Sequence, residues 1–166
     1  IDSGSSTGKR PAHPLLRLTK AAIQIERGRF REAIEGIDDL EPDSLPTPAE
    51  FLVVRSAARE RVGHIGAALD DLDEALRRLE PTPKHSLVPQ AQIERLRILL
   101  DTGQVAEAGS HAPAMFESIE EFQDEFLLYR SSLMAGRLAL LQGELPQALE
   151  QFKAARKRAT AHLSER

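Results

Sequence analysis

Gly28-Arg29-Phe30-Arg31-Glu32-Ala33 is a phrase that returns three times in the chain, as Gly63-His64-Ile65-Gly66-Ala67-Ala68, Gly103-Gln104-Val105-Ala106-Glu107-Ala108 and Gly143-Glu144-Leu145-Pro146-Gln147-Ala148. The shared pattern is glycine, any residue, a bulky apolar residue, two of any kind, then alanine. Successive glycines stand 35, 40 and 40 residues apart, about the length of one helical hairpin with its connection. Each part of the phrase has a physical role. Glycine accepts the left-handed backbone that ends a helix, the apolar residue anchors the turn, and alanine lets the next helix approach closely.

Helical periodicity flanks every glycine. The pattern predicts first helices over Leu15–Arg27, Pro48–Val62, Val88–Asp101 and about Gln123–Gln142. Second helices follow over Phe30–Leu40, Ile65–Leu79, Val105 to about Ser118 and Leu145 to about His162. In Ile65–Leu79 the apolar residues Ile65, Ala68, Leu69, Leu72, Ala75, Leu76 and Leu79 form one stripe at three and four spacing. Thr47-Pro48-Ala49-Glu50 reads as a capping box with proline in the first turn, after the breaker run Glu41 to Pro46. Glu80-Pro81-Thr82-Pro83 marks the next junction. Phe116 to Phe126 contains neither Gly nor Pro, and a break is placed near Glu121. The expected organisation is a leader over 1–13 and one all-α domain over 14–166, a helical-hairpin repeat array with repeats at about 14–46, 47–84, 85–121 and 122–162. The leader is expected to be flexible, being rich in Ser and Gly.

Composition narrows the function classes. The chain has 166 residues, 41% of them apolar, enough for a contiguous core, and only 4% are aromatic, which suits close packing of helices on small and aliphatic side chains. Its 22 basic and 26 acidic residues give a net charge of −4 with no positive field, so nucleic acid is not an expected partner. There is no cysteine, which removes disulfides and thiolate zinc sites and fits a reducing compartment. No apolar run reaches the roughly 20 residues of a membrane span. A cytoplasmic protein that does not engage membrane is expected.

The phrase and its spacing resemble the tetratricopeptide repeat (TPR), in a degenerate form such as bacterial multidomain regulators carry. Gly28 to Ile34 looks like the family's second half almost residue for residue. The family places an aromatic four residues after the alanine and a small residue three further on, matched by Phe152 and Ala155 in repeat four and by Leu72 and Ala75 in repeat two. Its small residue seven before the glycine is matched by Ala21, Ser56 and Gly136, whereas repeat three has Leu96. The resemblance spans about Leu15 to Ala161. It implies a right-handed superhelix of four hairpins whose first helices line a concave groove.

Carried onto this chain, the family's groove positions give Glu26 in repeat one, Glu50 and Glu60 in repeat two, Gln90 and Arg97 in repeat three, and Arg130 and Arg137 in repeat four, with Leu, Val, Ile and Ala between them. The sign changes from acidic to basic along the list, so an extended peptide with an acidic end could be oriented by it; arginine's planar fork suits carboxylate. The competing reading pairs these arginines with Asp101, Asp124 or Glu94. Family members that clamp a terminal carboxylate use asparagine, and this chain has none.

Other chemistry fails inspection. Gly4 to Lys9 has three residues between its glycines and Arg10 after the lysine, where a phosphate loop needs four and Ser or Thr. His13, His64, His85, His111 and His162 never fall three or four apart, so no metal site is suggested. Ser110-His111 lacks a strained elbow, and the acidic clusters at Asp38-Asp39, Asp70 to Glu74 and Glu117 to Glu125 read as solvated faces. The run Lys153, Arg156, Lys157, Arg158 reads as cations offsetting a helix C-terminus. No catalytic residue and no cofactor are expected.

The function expected is a protein–protein interaction scaffold or regulatory module that binds a peptide or helix of a partner in its concave groove, not an enzyme. The alternative is a ligand-sensing segment of a larger transcriptional regulator or signalling enzyme. The apolar edge of the last hairpin is expected to be covered by more protein or by a second copy, giving a homodimer through the array end.

Overall fold

The structure is a computed structural model that describes residues 13–164, with side chains to 160; the expected leader and the Gly4 to Lys9 segment lie outside the described residues, as does the His162 side chain. Eight α-helices follow in order: α1 Pro14–Glu26, α2 Phe30–Ile37, α3 Pro48–Arg61, α4 Ile65–Leu79, α5 Leu87–Asp101, α6 Val105–Phe122, α7 Glu125–Leu141 and α8 Leu145–Ser164. A short 3-10 turn at Pro42–Ser44 joins α2 to α3, and no strand occurs among the described residues. The all-α hairpin array is as expected.

The repeated phrase makes the four hairpin turns. Gly28, Gly63, Gly103 and Gly143 adopt φ of 72°, 89°, 74° and 82°. Each turn closes the same way: the glycine N–H donates three residues back and the next N–H donates five back, as in Gly28 to Ile25 at 2.9 Å and Arg29 to Gln24 at 2.8 Å. This two-bond closure satisfies carbonyls that the ending helix leaves open. The phrase alanines Ala33, Ala68, Ala108 and Ala148 are all buried against the preceding helix.

Each helix pair packs on itself, and each second helix packs on the first helix of the next pair. First helices also touch one another, α1 on α3, α3 on α5 and α5 on α7, whereas second helices have no comparable mutual packing. An array tied more closely along one side curves toward that side, so the first helices form the inner face. The core runs along the array as three clusters, one with Leu18, Ile37, Phe51 and Leu52, one with Leu72, Ala91 and Ile98, and one with Leu99, Met115, Ile119 and Leu138, joined through the half-buried Val53 and Leu69. Repeat four shows how closely the helices of one pair approach. A Cβ at Gly136 would lie 2.7 Å from two Phe152 ring carbons, so α7 and α8 approach as closely as they do because position 136 has no side chain. At the far end Leu140, Leu141, Leu145 and Leu149 are about half exposed.

Three local expectations change. Helix α6 runs to Phe122 and the break falls at Gln123, a non-glycine residue in left-handed geometry at φ 50°, with Asp124 capping α7 by accepting from the Leu127 N–H at 2.9 Å. Thr47 does precede Pro48 at the start of α3, but its hydroxyl makes no capping hydrogen bond, so the capping box does not form. Helix α8 continues to Ser164, which puts the basic run in mid-helix rather than at a C-terminus; Lys153 pairs with Glu150 at 2.9 Å and Arg158 with Glu125 at 3.2 Å.

Candidate functional site: a charged cleft on the inner face

Helices α3, α5 and α7 enclose a cleft of about 210 Å³ on the inner face. Its floor is apolar, built by Val53 and Ala57 of α3, Ile98 of α5 and Leu72, which reaches across from α4. Ser56, the small residue seven before Gly63, lies in the same wall and is 2% exposed. Gln90, Glu94 and Arg97 of α5 and Arg130 of α7 stand around it. The spacing explains the grouping: 90, 94 and 97 fall on one face of α5 at four and three residues, and Arg130 comes from the adjacent first helix.

The charged residues form one ladder. The Arg97 guanidinium donates to both carboxylate oxygens of Glu60, at 2.8 and 3.0 Å, to Glu94 at 2.8 Å and to Asp101 at 3.0 Å. Arg130 donates to Glu94, and Arg137 to Asp101. Arg130 also stands 5.9 Å from the centre of the Phe126 ring, within cation–π range. The ladder holds three guanidiniums and three carboxylates and links α3 to α5 to α7. Burial pushes the Glu94 carboxyl up, but the hydrogen bonds from Arg97 and Arg130 outweigh it and hold it below the usual value. Burial likewise pushes the Asp101 carboxyl up, and Arg137 with Arg97 brings it below the usual value. Arg97 is held more firmly protonated than a free arginine, chiefly by its hydrogen bonds to Glu60.

Of the residues singled out from sequence, Gln90, Arg97 and Arg130 come together at the cleft, and Glu60 joins them through Arg97 and Arg137 through Asp101. Glu26 ends α1 and is exposed, apart from the ladder. Glu50 lies in the first turn of α3 and lines a different cleft, with Pro48, Arg78 and His85. The competing reading of the arginines holds for Glu94 and Asp101, while Asp124 is a helix cap instead. The acidic-to-basic polarity is thereby balanced locally, since Glu60 meets Arg97 across one repeat.

One acidic cluster does not behave as a solvated face. Asp71 is 3% exposed and accepts from Arg55 at 2.8 and 3.1 Å and from Arg59 at 3.0 Å. Arg55 further donates to the Leu40 carbonyl at 3.2 Å and stacks 4.8 Å from the Phe51 ring centre, and Arg59 reaches Asp38 at 2.7 Å. This network ties α2, α3 and α4 together behind the cleft. The signal was present in sequence: Asp71 falls within the apolar stripe, three after Ala68 and four before Ala75. No group of three or more metal-ligating side chains occurs among the described residues, and no helix there is long and apolar enough to cross a membrane.

Comparison with known proteins adds to the fold. No protein-family profile matches the chain, and no curated protein matches it in sequence. Among solved structures, the crystal structure of MamA is similar with a TM-score of 0.69 at 16% identity, over 93% of this chain and 82% of that one. A crystal structure of a putative kinesin light chain from Podosopora anserina with nearly identical TPR-like repeats is similar with a TM-score of 0.75, also at 16% identity, over 96% of this chain and 81% of that one. The fold is a tetratricopeptide-like helical repeat.

Proposed function

We propose that this tetratricopeptide-like array is a protein–protein interaction scaffold that holds a peptide or helix of a partner on its inner face, making and breaking no bond. The observation that carries the proposal is the cleft between α3, α5 and α7, whose apolar floor of Val53, Ala57, Leu72 and Ile98 is ringed by hydrogen-bonding side chains. A volume of about 210 Å³ suits one apolar side chain of a partner, the kind of buried anchor that dominates peptide affinity. Gln90 supplies an exposed amide at the mouth for the partner's backbone.

The ladder sets what polar chemistry the partner can bring. Arg97 is engaged by Glu60, Glu94 and Asp101, while Arg130 and Arg137 each reach one carboxylate through Nη2; Arg130 is the one of these two that lines the cleft, and its other donors make no hydrogen bond to a carboxylate. An acidic residue of the partner is therefore assigned to Arg130. The test is affinity capture from the source lysate with wild-type protein and with Arg130→Glu, each shown to be equally helical by circular dichroism. A partner lost with Arg130→Glu supports the assignment; a partner kept equally well places binding elsewhere.

A further inference from the structure

The two outermost helices of the array expose apolar positions that the other helices of their kind cover. Twelve and five residues before the turn glycine stand Phe51 and Ala58 in α3, Ala91 and Ile98 in α5, and Ser131 and Leu138 in α7, each at most 7% exposed. In α1 the same two positions are Leu16 and Ile23, which are 63% and 46% exposed. The second helices show the converse. Six and nine residues after the glycine stand Ile34 and Ile37 in α2 and Leu69 and Leu72 in α4, all buried or half-buried. In α8 the corresponding Leu149 is 55% exposed, beside a half-buried Phe152.

These four positions build one repeated interface. Ile34, Ile37, Phe51 and Ala58 share a core cluster where α2 meets α3, and Leu69, Leu72, Ala91 and Ile98 share another where α4 meets α5. Helix α8 displays one half of that interface and α1 the other, and neither has a neighbouring repeat among the described residues. The inner edge matches as well. Glu60, three before its glycine, meets Arg97, six before the next one. The corresponding residues of α7 and α1 are Leu140, which is exposed, and Ala22, so the ladder gives way there to an apolar contact.

We propose that the chain associates with further copies of itself head to tail, the α8 face of one copy receiving the α1 face of the next as α4 receives α5. The contact is heterologous, so each added copy brings a fresh half-interface, and it leaves the inner-face cleft unused. One pair of charges opposes it. Asp73, ten after Gly63, accepts from Arg95, eight before Gly103. At the junction of two copies these positions are Lys153 and Lys20, both exposed. Like charges in that register weaken association at low ionic strength, and added salt relieves them, the opposite of an interface held by ion pairs.

Sedimentation equilibrium tests the proposal on the whole chain. Wild type is expected to show an average mass that rises with concentration toward about 1 mM and rises further in added salt. Leu16→Glu blocks the head and Leu149→Asp the tail; both positions are exposed, and circular dichroism checks that the variants fold. Each variant alone is expected to stay monomeric, while an equimolar mixture forms a one-to-one pair through the intact tail of the first and the intact head of the second. Ile23→Asp and Leu149→Ser replace a variant that fails to fold. Lys153→Asp restores the charge pattern of Asp73 and Arg95 and is expected to tighten association about threefold or more. Wild type that is monomeric throughout would assign the two faces to a different protein segment, and Leu16→Glu protein that still dimerises would show a symmetric contact of α8 on α8. Either result overturns the proposal, as does a mixture that stays monomeric or a Lys153→Asp variant that associates no better than wild type.

Discussion

Gly136 of α7 lies against the ring of Phe152 of α8, so close that a Cβ would come within 2.7 Å of two ring carbons. Real side chains do not approach to that distance, and either the Phe152 ring or one of the two helices must move to admit a methyl group. Gly136→Ala is therefore expected to destabilise the protein by about 1–3 kcal/mol, despite alanine's better helix propensity. Thermal unfolding of Gly136→Ala, Phe152→Leu and the double variant checks this. The smaller leucine is expected to recover part of the alanine cost, giving a favourable coupling between the two sites.

The buried pair of Arg55 and Asp71 gives a second expectation. Asp71→Ala takes the carboxylate from Arg55, which keeps only the Leu40 carbonyl, and from Arg59, which keeps Asp38; breaking a buried ion pair from one side costs roughly 3–5 kcal/mol. Replacing Arg55 and Asp71 together by Met and Leu removes both charges and is expected to be much milder than Asp71→Ala. Urea unfolding midpoints of the two variants distinguish them, and equal losses would show that the pair has no such one-sided cost.

Acid sensitivity follows from the ladder. The carboxyls of Glu94 and Asp101 titrate below their ordinary values of 4.5 and 3.8 in the folded chain, so protonation favours the unfolded one. Their contribution is fully present above those ordinary values and is lost as pH falls through the lower folded values. Glu94→Gln is expected to lower stability by about 1 kcal/mol at pH 7. The gap to wild type should narrow steadily below about pH 4. Melting temperatures of both proteins from pH 7 to pH 3 check the sign; a gap that widens in acid would contradict it.

These expectations also show which parts were legible from sequence. The turns could be read because their signal is local: glycine at positive φ and an alanine five residues on, inside one phrase. Helix ends came within a few residues for the same reason. The break between α6 and α7 was harder, because Gln123 takes the left-handed position that glycine holds at the other turns, and no composition change marks it. The ladder was legible in part: Glu94 and Asp101 could be named as partners of the arginines, but neither which arginine meets which nor the Arg97–Glu60 pair. Arg97 meets Glu60 from 37 residues away, and Arg130 and Arg137 meet Glu94 and Asp101 from 36. That separation is one repeat less one helical turn, so the pairing belongs to the stacking of first helices, which no single repeat specifies. Asp71 was misread because clustered carboxylates usually face water, and its place within an apolar stripe carried the contrary signal.

The most direct test of the inner-face account is site-specific photo-cross-linking from Gln90 at the mouth of the cleft, compared with Ser110, exposed on α6. Each position carries benzoylphenylalanine in turn, in protein shown to be folded, and is irradiated in the source lysate. The account predicts a discrete partner adduct from position 90 that disappears with Arg130→Glu and is absent from position 110. Adducts from position 110 alone, or adducts from position 90 that persist unchanged with Arg130→Glu, would contradict it.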